Sequence, residues 1–160
     1  DEANVMNELV YRNLSEDAKR QICAWKYGGE YDLYNLPAYE EMQVRQIGFM
    51  NPQREKNYYG FWDESILVGF VNILEEKEEV FIGIGVNPDL CNKHYGQRML
   101  LITYEISKKL YPNKPLYLEV RTWNIRAVKC YQKAGFRIDG QAYELTTGIG
   151  TGTFYRMIRE

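Results

Sequence analysis

The sequence is short of the residues that usually announce a mechanism. Its three cysteines, Cys23, Cys91 and Cys130, are widely spaced and odd in number. That excludes a disulfide framework and a zinc-binding spacing, and it fits a reducing cytoplasm. His94 is the only histidine and has no Cys, Asp or Glu at ligand spacing, so no metal is expected. The longest apolar run, residues 66–74, is broken by Gly69 and Asn72 and is too short for a bilayer. A net charge of -2 offers no excess of positive charge, so neither nucleic acid nor a membrane is expected as a partner. The acidic start has no signal-peptide core, which predicts cytoplasmic residence. Met6 is read as the natural start and residues 1–5 as an expression remnant.

What is present is ordinary in bulk and specific in detail. With 160 residues, 45% of them hydrophobic and 26% charged, the chain is long enough for one domain with a real core. Residues 9–12 read as a short strand. Ser15 offers a helix N-cap, with Glu16 and Asp17 in the first turn and Ala18, Ile22 and Trp25 on one face, ending at Gly28 and Gly29. An aromatic loop, residues 27–39, leads to a second helix opened by Pro37 and running to about Phe49. Residues 58–62, 66–74 and 80–86 are strand-like runs joined by short polar turns, an antiparallel meander. Met99, Ile102, Ile106 and Leu110 mark a third helix. Residues 115–120 form a strand, and 124–134 a fourth helix with Ala127, Cys130, Tyr131 and Ala134 on one face. Residues 136–145 and 153–157 close the chain as a hairpin. The expected order is β-α-α-β-β-β-α-β-α-β-β: an α/β (α+β) domain over residues 1–160, with a mixed, largely antiparallel sheet and about four helices.

Two glycine patterns are set aside. Residues 83–88, GIGVNP, lack the third glycine of a dinucleotide fingerprint, and Pro88 removes a donor. Residues 148–152, GIGTG, lie between two strands and read as a hairpin tip. A third stretch is more informative. Residues 88–99, PDLCNKHYGQRM, join a strand to a helix, as phosphate-binding loops do, yet contain one glycine. Further on, residues 116–136, LYLEVRTWNIRAVKCYQKAGF, put a carboxylate, an amide and a phenol into one strand-loop-helix unit. Alternation sets Leu116, Leu118 and Val120 on one face and Tyr117 and Glu119 on the other. Tyr131 follows Asn124 by about two helical turns and shares its face. Taken singly, the three read as a solvated strand carboxylate, a helix cap and a core aromatic; together they suggest a site.

That segment resembles the C-terminal motif of the GNAT superfamily of acyl-CoA-dependent N-acyltransferases, and within it the ribosomal-protein alanine N-acetyltransferases. The stretch VNPDLCNKHYGQRMLL is similar to the superfamily's pyrophosphate motif, R/Q-x-x-G-x-G/A. The resemblance runs from about Tyr58 to the C-terminus and implies a GNAT-like fold and acetyl-CoA as acyl donor, with no metal. It implies Glu119 as general base, Tyr131 as general acid and Asn124 as a cofactor contact. It implies a V-shaped cleft in which main-chain groups of Ile84, Gly85 and Val86 pair with the pantetheine arm. Cys91, Asn92, Lys93, His94, Tyr95, Gly96 and Gln97 would cradle the pyrophosphate. Cys91 stands where Arg or Gln is usual, His94 where the first glycine is usual, and Asn92 replaces another; only Gly96 matches. Asn and His are among the residues that tolerate left-handed backbone, so the loop can still turn its amides onto an anion. Glu79 is the reserve base, but Val80 is expected in the base position with Glu79 facing the other way.

The resemblance does not carry a substrate across. Trp25, Tyr27, Tyr31 and Tyr34 could line a site for an amine-bearing small molecule or peptide, or could cap the sheet as core. The leading expectation is direct acetyl transfer to a primary amine in a ternary complex. The alternative, prompted by the missing glycines, is a non-catalytic acyl-CoA-binding sensor or interaction module; an adaptor that binds no CoA is a third reading. A homodimer, the physiological acceptor and the acyl-chain length stay open.

Overall fold

A computed structural model describes residues 8–160; the expected start at Met6 and the remnant before it lie outside them. The strands are β1 (Val10–Asn13), β2 (Tyr58–Asp63), β3 (Ile66–Glu75), β4 (Val80–Val86), β5 (Leu116–Arg121), β6 (Arg137–Ile138), β7 (Tyr143–Thr147) and β8 (Gly150–Arg159). The helices are α1 (Glu16–Ala24), α2 (Tyr39–Arg45), α3 (Tyr95–Leu110) and α4 (Ile125–Lys133). The strands bond in the order β1-β2-β3-β4-β5-β8-β6, with β7 attached to β8. β1 with β2, β2 with β3, and β8 with each of β5, β6 and β7 pair antiparallel, whereas β4 pairs with β5 in parallel. The expected mixed, mostly antiparallel sheet with four helices is therefore the observed one. Among the described residues no helix is long and apolar enough to cross a membrane.

The chain forms two compact units. Residues 8–72 and Ile84–Tyr95 make the first; Ile73–Gly83 and Gly96–Glu160 make the second. In the first, Ser15 caps α1 as expected, its side chain accepting from the Ala18 N–H at 3.1 Å. The helix ends at Ala24, and Trp25 sits at the cap beyond it, against the core cluster of Ile22, Met42, Phe49 and Tyr58. The aromatic loop is partly ordered as a 3₁₀ turn, Gly29–Tyr34. The second helix is shorter than its pattern suggests. Gln46 takes a left-handed φ of 52°, which stops α2 at Arg45, and Gly48–Met50 continues as a 3₁₀ turn.

Lys19 is the feature of this unit that periodicity hides. It is 1% exposed on α1, and its ammonium is bonded to Glu16 and Glu55. Tyr39 adds its hydroxyl to Glu16 at 2.5 Å, which ties α2 to the same cluster. Burial alone would lower the lysine's pKa; the Glu55 and Glu16 carboxylates together outweigh it and hold the ammonium above the usual lysine value.

In the second unit, α3 buries Met99, Leu100, Thr103, Ile106 and Ser107, while Leu110, expected on that face, is half exposed at the helix end. The expected last hairpin is cut in two: Gly140, at φ 79°, separates β6 from β7. The hairpin tip at Gly148 and Ile149 is as read, since Thr147 pairs with Gly150 across it.

Candidate active site

In the first unit the candidate residues lie at the end of β4, in the loop after it and at Tyr95, where α3 begins. Gly85 is required by packing: a methyl there would stand 2.4 Å from Phe70 Cε1. Beside it, the Tyr27 hydroxyl donates to the Val86 carbonyl at 2.6 Å, and the Tyr27 N–H donates to Asn35 Oδ1 at 2.6 Å. The Val86 carbonyl, expected to meet the cofactor, thus already accepts one bond. Asn87 pins the loop: its N–H donates to the Val68 carbonyl at 2.8 Å and its Nδ2 to the Leu67 carbonyl at 3.1 Å. Its Oδ1 accepts from the Asp89 N–H at 3.0 Å, starting the 3₁₀ turn Pro88–Leu90.

Asn92 and His94 follow, each with φ at 66°. These are the two positions where glycine is missing, and both adopt the left-handed backbone glycine would supply. Tyr95 anchors the exit, donating its hydroxyl to Asp63 Oδ2 at 2.5 Å. Asn92, Lys93 and His94 are exposed. The 16-residue α3 carries no acidic residue in its first turn, so the partial positive charge of its N-terminus is not cancelled locally. Left-handed residues leading directly into a helix N-terminus suit a pyrophosphate.

In the second unit the candidate residues share one face of β5 and β8. The parallel ladder between β4 and β5 has two pairs, Val80 with Leu116 and Phe81 with Tyr117. Val80 and Leu116 are fully buried, so the opposite parity carries Phe81, Tyr117 and Glu119 together. This corrects the expectation for Glu79. It precedes β4 on the parity of Phe81, and its carboxylate grips Arg156 through Nη2 at 2.5 Å and Nη1 at 3.1 Å. Arg156 lies directly across from Glu119 in the β5–β8 register. Glu79 therefore belongs to the face of Glu119 and is committed to a forked ion pair, completed by Asp139 on Arg156 Nε at 3.1 Å. Glu79, and then Asp139, hold the guanidinium's pKa above its ordinary value against the opposing effect of burial.

Glu119 is half-buried and accepts a 2.6 Å bond at Oε2 from the Tyr143 hydroxyl of β7. Burial and the carboxylate push the Tyr143 phenol well above the usual tyrosine range, so it remains a donor at neutral pH. Tyr117 bonds Glu76 at 2.8 Å, and burial followed by that bond raises its pKa in the same way. Asn124 is buried and caps α4, with Oδ1 accepting from the Ala127 N–H at 3.2 Å. Tyr131 is half-buried on α4, where Val128 rather than Ala127 or Cys130 is the buried centre of the face. Among the described residues no cluster could hold a metal ion.

Of the aromatic residues, Trp25 packs as core, 6.3 Å from the Phe70 ring, and Tyr27 is tied to β4. Tyr31 and Tyr34 are half-buried in the 3₁₀ turn. Nothing local in the sequence marks Tyr143 and Arg156. Their positions opposite Glu119 follow only from long-range strand register.

The model of the family described as Acetyltransferase (GNAT) family matches residues 12–136. No curated protein sequence matches the chain. Three solved structures illustrate the likeness of fold. A chimera of spermidine N-acetyltransferase SpeG from Vibrio cholerae and hSSAT has 19% identity, covers 95% of each chain and gives a TM-score of 0.75. The Vibrio cholerae spermidine N-acetyltransferase in complex with CoA and spermine has 18% identity, 94% coverage of each chain and a TM-score of 0.75. AAC(6')-Ib in complex with ribostamycin and coenzyme A has 16% identity, covers 95% of this chain and 93% of its own, and gives 0.73.

Proposed function

We propose that this chain, which belongs to the acetyltransferase (GNAT) family and moves an acetyl group from acetyl-CoA to an amine, does so with Glu119 as base and Tyr131 as acid. The observation that carries this reading is the backbone of Asn92 and His94, both at φ 66° immediately before α3. Left-handed backbone at these two positions supports a glycine-poor loop that turns its amides onto a pyrophosphate. Acetyl-CoA supplies the activated acyl group as a thioester. Cys91, Asn92, Lys93, His94, Tyr95, Gly96 and Gln97 would hold its pyrophosphate, and main-chain groups of Ile84, Gly85 and Val86 its pantetheine arm. Asn124, beyond its capping bond, would be a further contact.

An ammonium has no lone pair, so the acceptor must lose a proton before it attacks. Glu119 takes that proton at its carboxylate, directly or through one water. Tyr143 orients the carboxylate by its 2.6 Å bond, and Glu79 stays locked on Arg156. Tyr131 supplies the proton that the departing thiolate needs. Tyr31 and Tyr34 contribute to the acceptor wall; Trp25 and Tyr27 act as its support. The acceptor is a primary amine on a small molecule or peptide. The coverage of the solved structures supports a single acyltransferase domain over residues 1–160, and three free cysteines suit a reducing cytoplasm.

The test is an amine and peptide screen reading free thiol release from acetyl-CoA, repeated with Glu119→Gln and Tyr131→Phe. Each substitution is expected to lower kcat by about 10²–10⁴-fold while calorimetry finds CoA affinity within a few-fold of the parent. Full turnover in Glu119→Gln would remove the base assignment. CoA binding with no acylation of any amine would favour the sensor.

A further inference from the structure

Two arginines face the same strand pair, and their partners differ. Arg156 on β8 is matched by Glu79 and Asp139. Arg121, the last residue of β5, is 8% exposed and has neither an ion pair nor a side-chain hydrogen bond among the described residues; its guanidinium lies 4.8 Å from the centre of the Phe154 ring. Burying a cation against an aromatic ring recovers part of its lost hydration, but an unmatched buried charge remains costly. Register places it with the chemistry. Arg121 pairs with Phe154 and Glu119 with Arg156, so Arg121 is on the Glu119 face, its Cα about 6.5 Å further along the strand and its guanidinium over Gly152. Glu119 itself is engaged by Tyr143.

The facing strand makes room for this guanidinium. Gly152 lies two residues before Phe154 on the same parity of β8, and a methyl at 152 would stand 2.1 Å from Arg121 Nη1. Its φ is not in the left-handed range, so space rather than backbone freedom is what the glycine provides.

We propose that Arg121 and the gap at Gly152 form a carboxylate subsite, so that the preferred acceptor is a short aminocarboxylate whose amine reaches Glu119 while its carboxylate meets the Arg121 guanidinium. A planar carboxylate fits the guanidinium fork in two parallel bonds, and the two-residue spacing of Glu119 and Arg121 on β5 suits an amine and an acid carried on one small molecule. The inference rests on the assignment of Glu119 as base. It narrows the acceptor from any primary amine to one carrying a negative group.

The experiment compares each of glycine, 3-aminopropanoate and 4-aminobutanoate with its own carboxamide, using acetyl-CoA and thiol release. At least one carboxylate is expected to exceed its amide about tenfold or more in kcat/KM. Arg121→Gln should bring that ratio toward unity by raising KM for the carboxylate. Gly152→Ala, which keeps the charge but pushes the flexible guanidinium aside, should do the same if Arg121→Gln does not fold. Equal turnover of acids and amides by the parent overturns the proposal, as does a preference that survives both substitutions. A selective rise in the CoA dissociation constant of Arg121→Gln overturns it too, assigning the cation to the phosphates. Failure of the base assignment looks different: Glu119→Gln would keep its turnover whatever the acid-to-amide ratio. If no member is acetylated, calorimetry of the same pairs with the CoA-loaded protein makes the comparison, and equal affinities overturn the proposal.

Discussion

The loop at Asn92 and His94 and the hairpin at Gly148 to Gly152 invert the usual relation between glycine and turning backbone. The hairpin has three glycines in five residues, yet only Gly150 has a positive φ, 111°. Gly148 has nothing within 4 Å of where a side chain would begin, and Gly152 clears space for Arg121. The loop has no glycine at its two left-handed positions and adopts them with Asn92 and His94. Composition therefore marks where backbone could turn, while register, anchors and neighbours decide where it does. In the loop those anchors are Asn87 on β3 at one end and Tyr95 on Asp63 at the other.

The contrast can be broken most sharply at the loop. Left-handed backbone costs a β-branched residue about 1–2 kcal/mol per position. Replacing both Asn92 and His94 by Val should therefore raise the CoA dissociation constant by about 30-fold or more, measured by calorimetry on protein whose circular dichroism is unchanged. An unaltered affinity would show that these amides do not meet the cofactor. At the hairpin, Gly150→Val should cost about 1–3 kcal/mol in urea unfolding and leave CoA affinity alone; a matching loss of affinity would erase the distinction between the two regions. Smallest of all, Gly148→Ala should change stability by less than about 0.5 kcal/mol, because neither its φ nor its surroundings demand glycine.

How much of this was legible beforehand differs between fold and site. The three meander strands are legible nearly to the residue, because β-branched and aromatic runs bounded by polar turns are local signals. Helix ends were poorer: α2 stops at Gln46 through a left-handed φ in a residue with no strong preference for it. The loop's tolerance for left-handed Asn92 and His94 could be anticipated from residue type. The orientation of Glu79 could not. It depends on Val80 pairing with Leu116 rather than with a neighbour one residue away, and a shift of one residue exchanges the two faces of a strand. Tyr143, Arg156 and the unmatched Arg121 were hidden for the same reason, since each owes its place to strands far apart in sequence.

Lys19 has a consequence for a protein whose own cosubstrate acylates amines. A surface lysine is exposed to chance modification whenever it sheds its proton. Lys19 is enclosed and kept charged by Glu16 and Glu55, so its nitrogen has no lone pair to offer and little room for a reagent. Once acetylated it would lose the charge that holds two carboxylates and, through Glu16, the Tyr39 hydroxyl. Its modification should therefore follow opening of the first unit rather than precede it. An acetyl mark on Lys19 would serve as a chemical record that α1 had come loose.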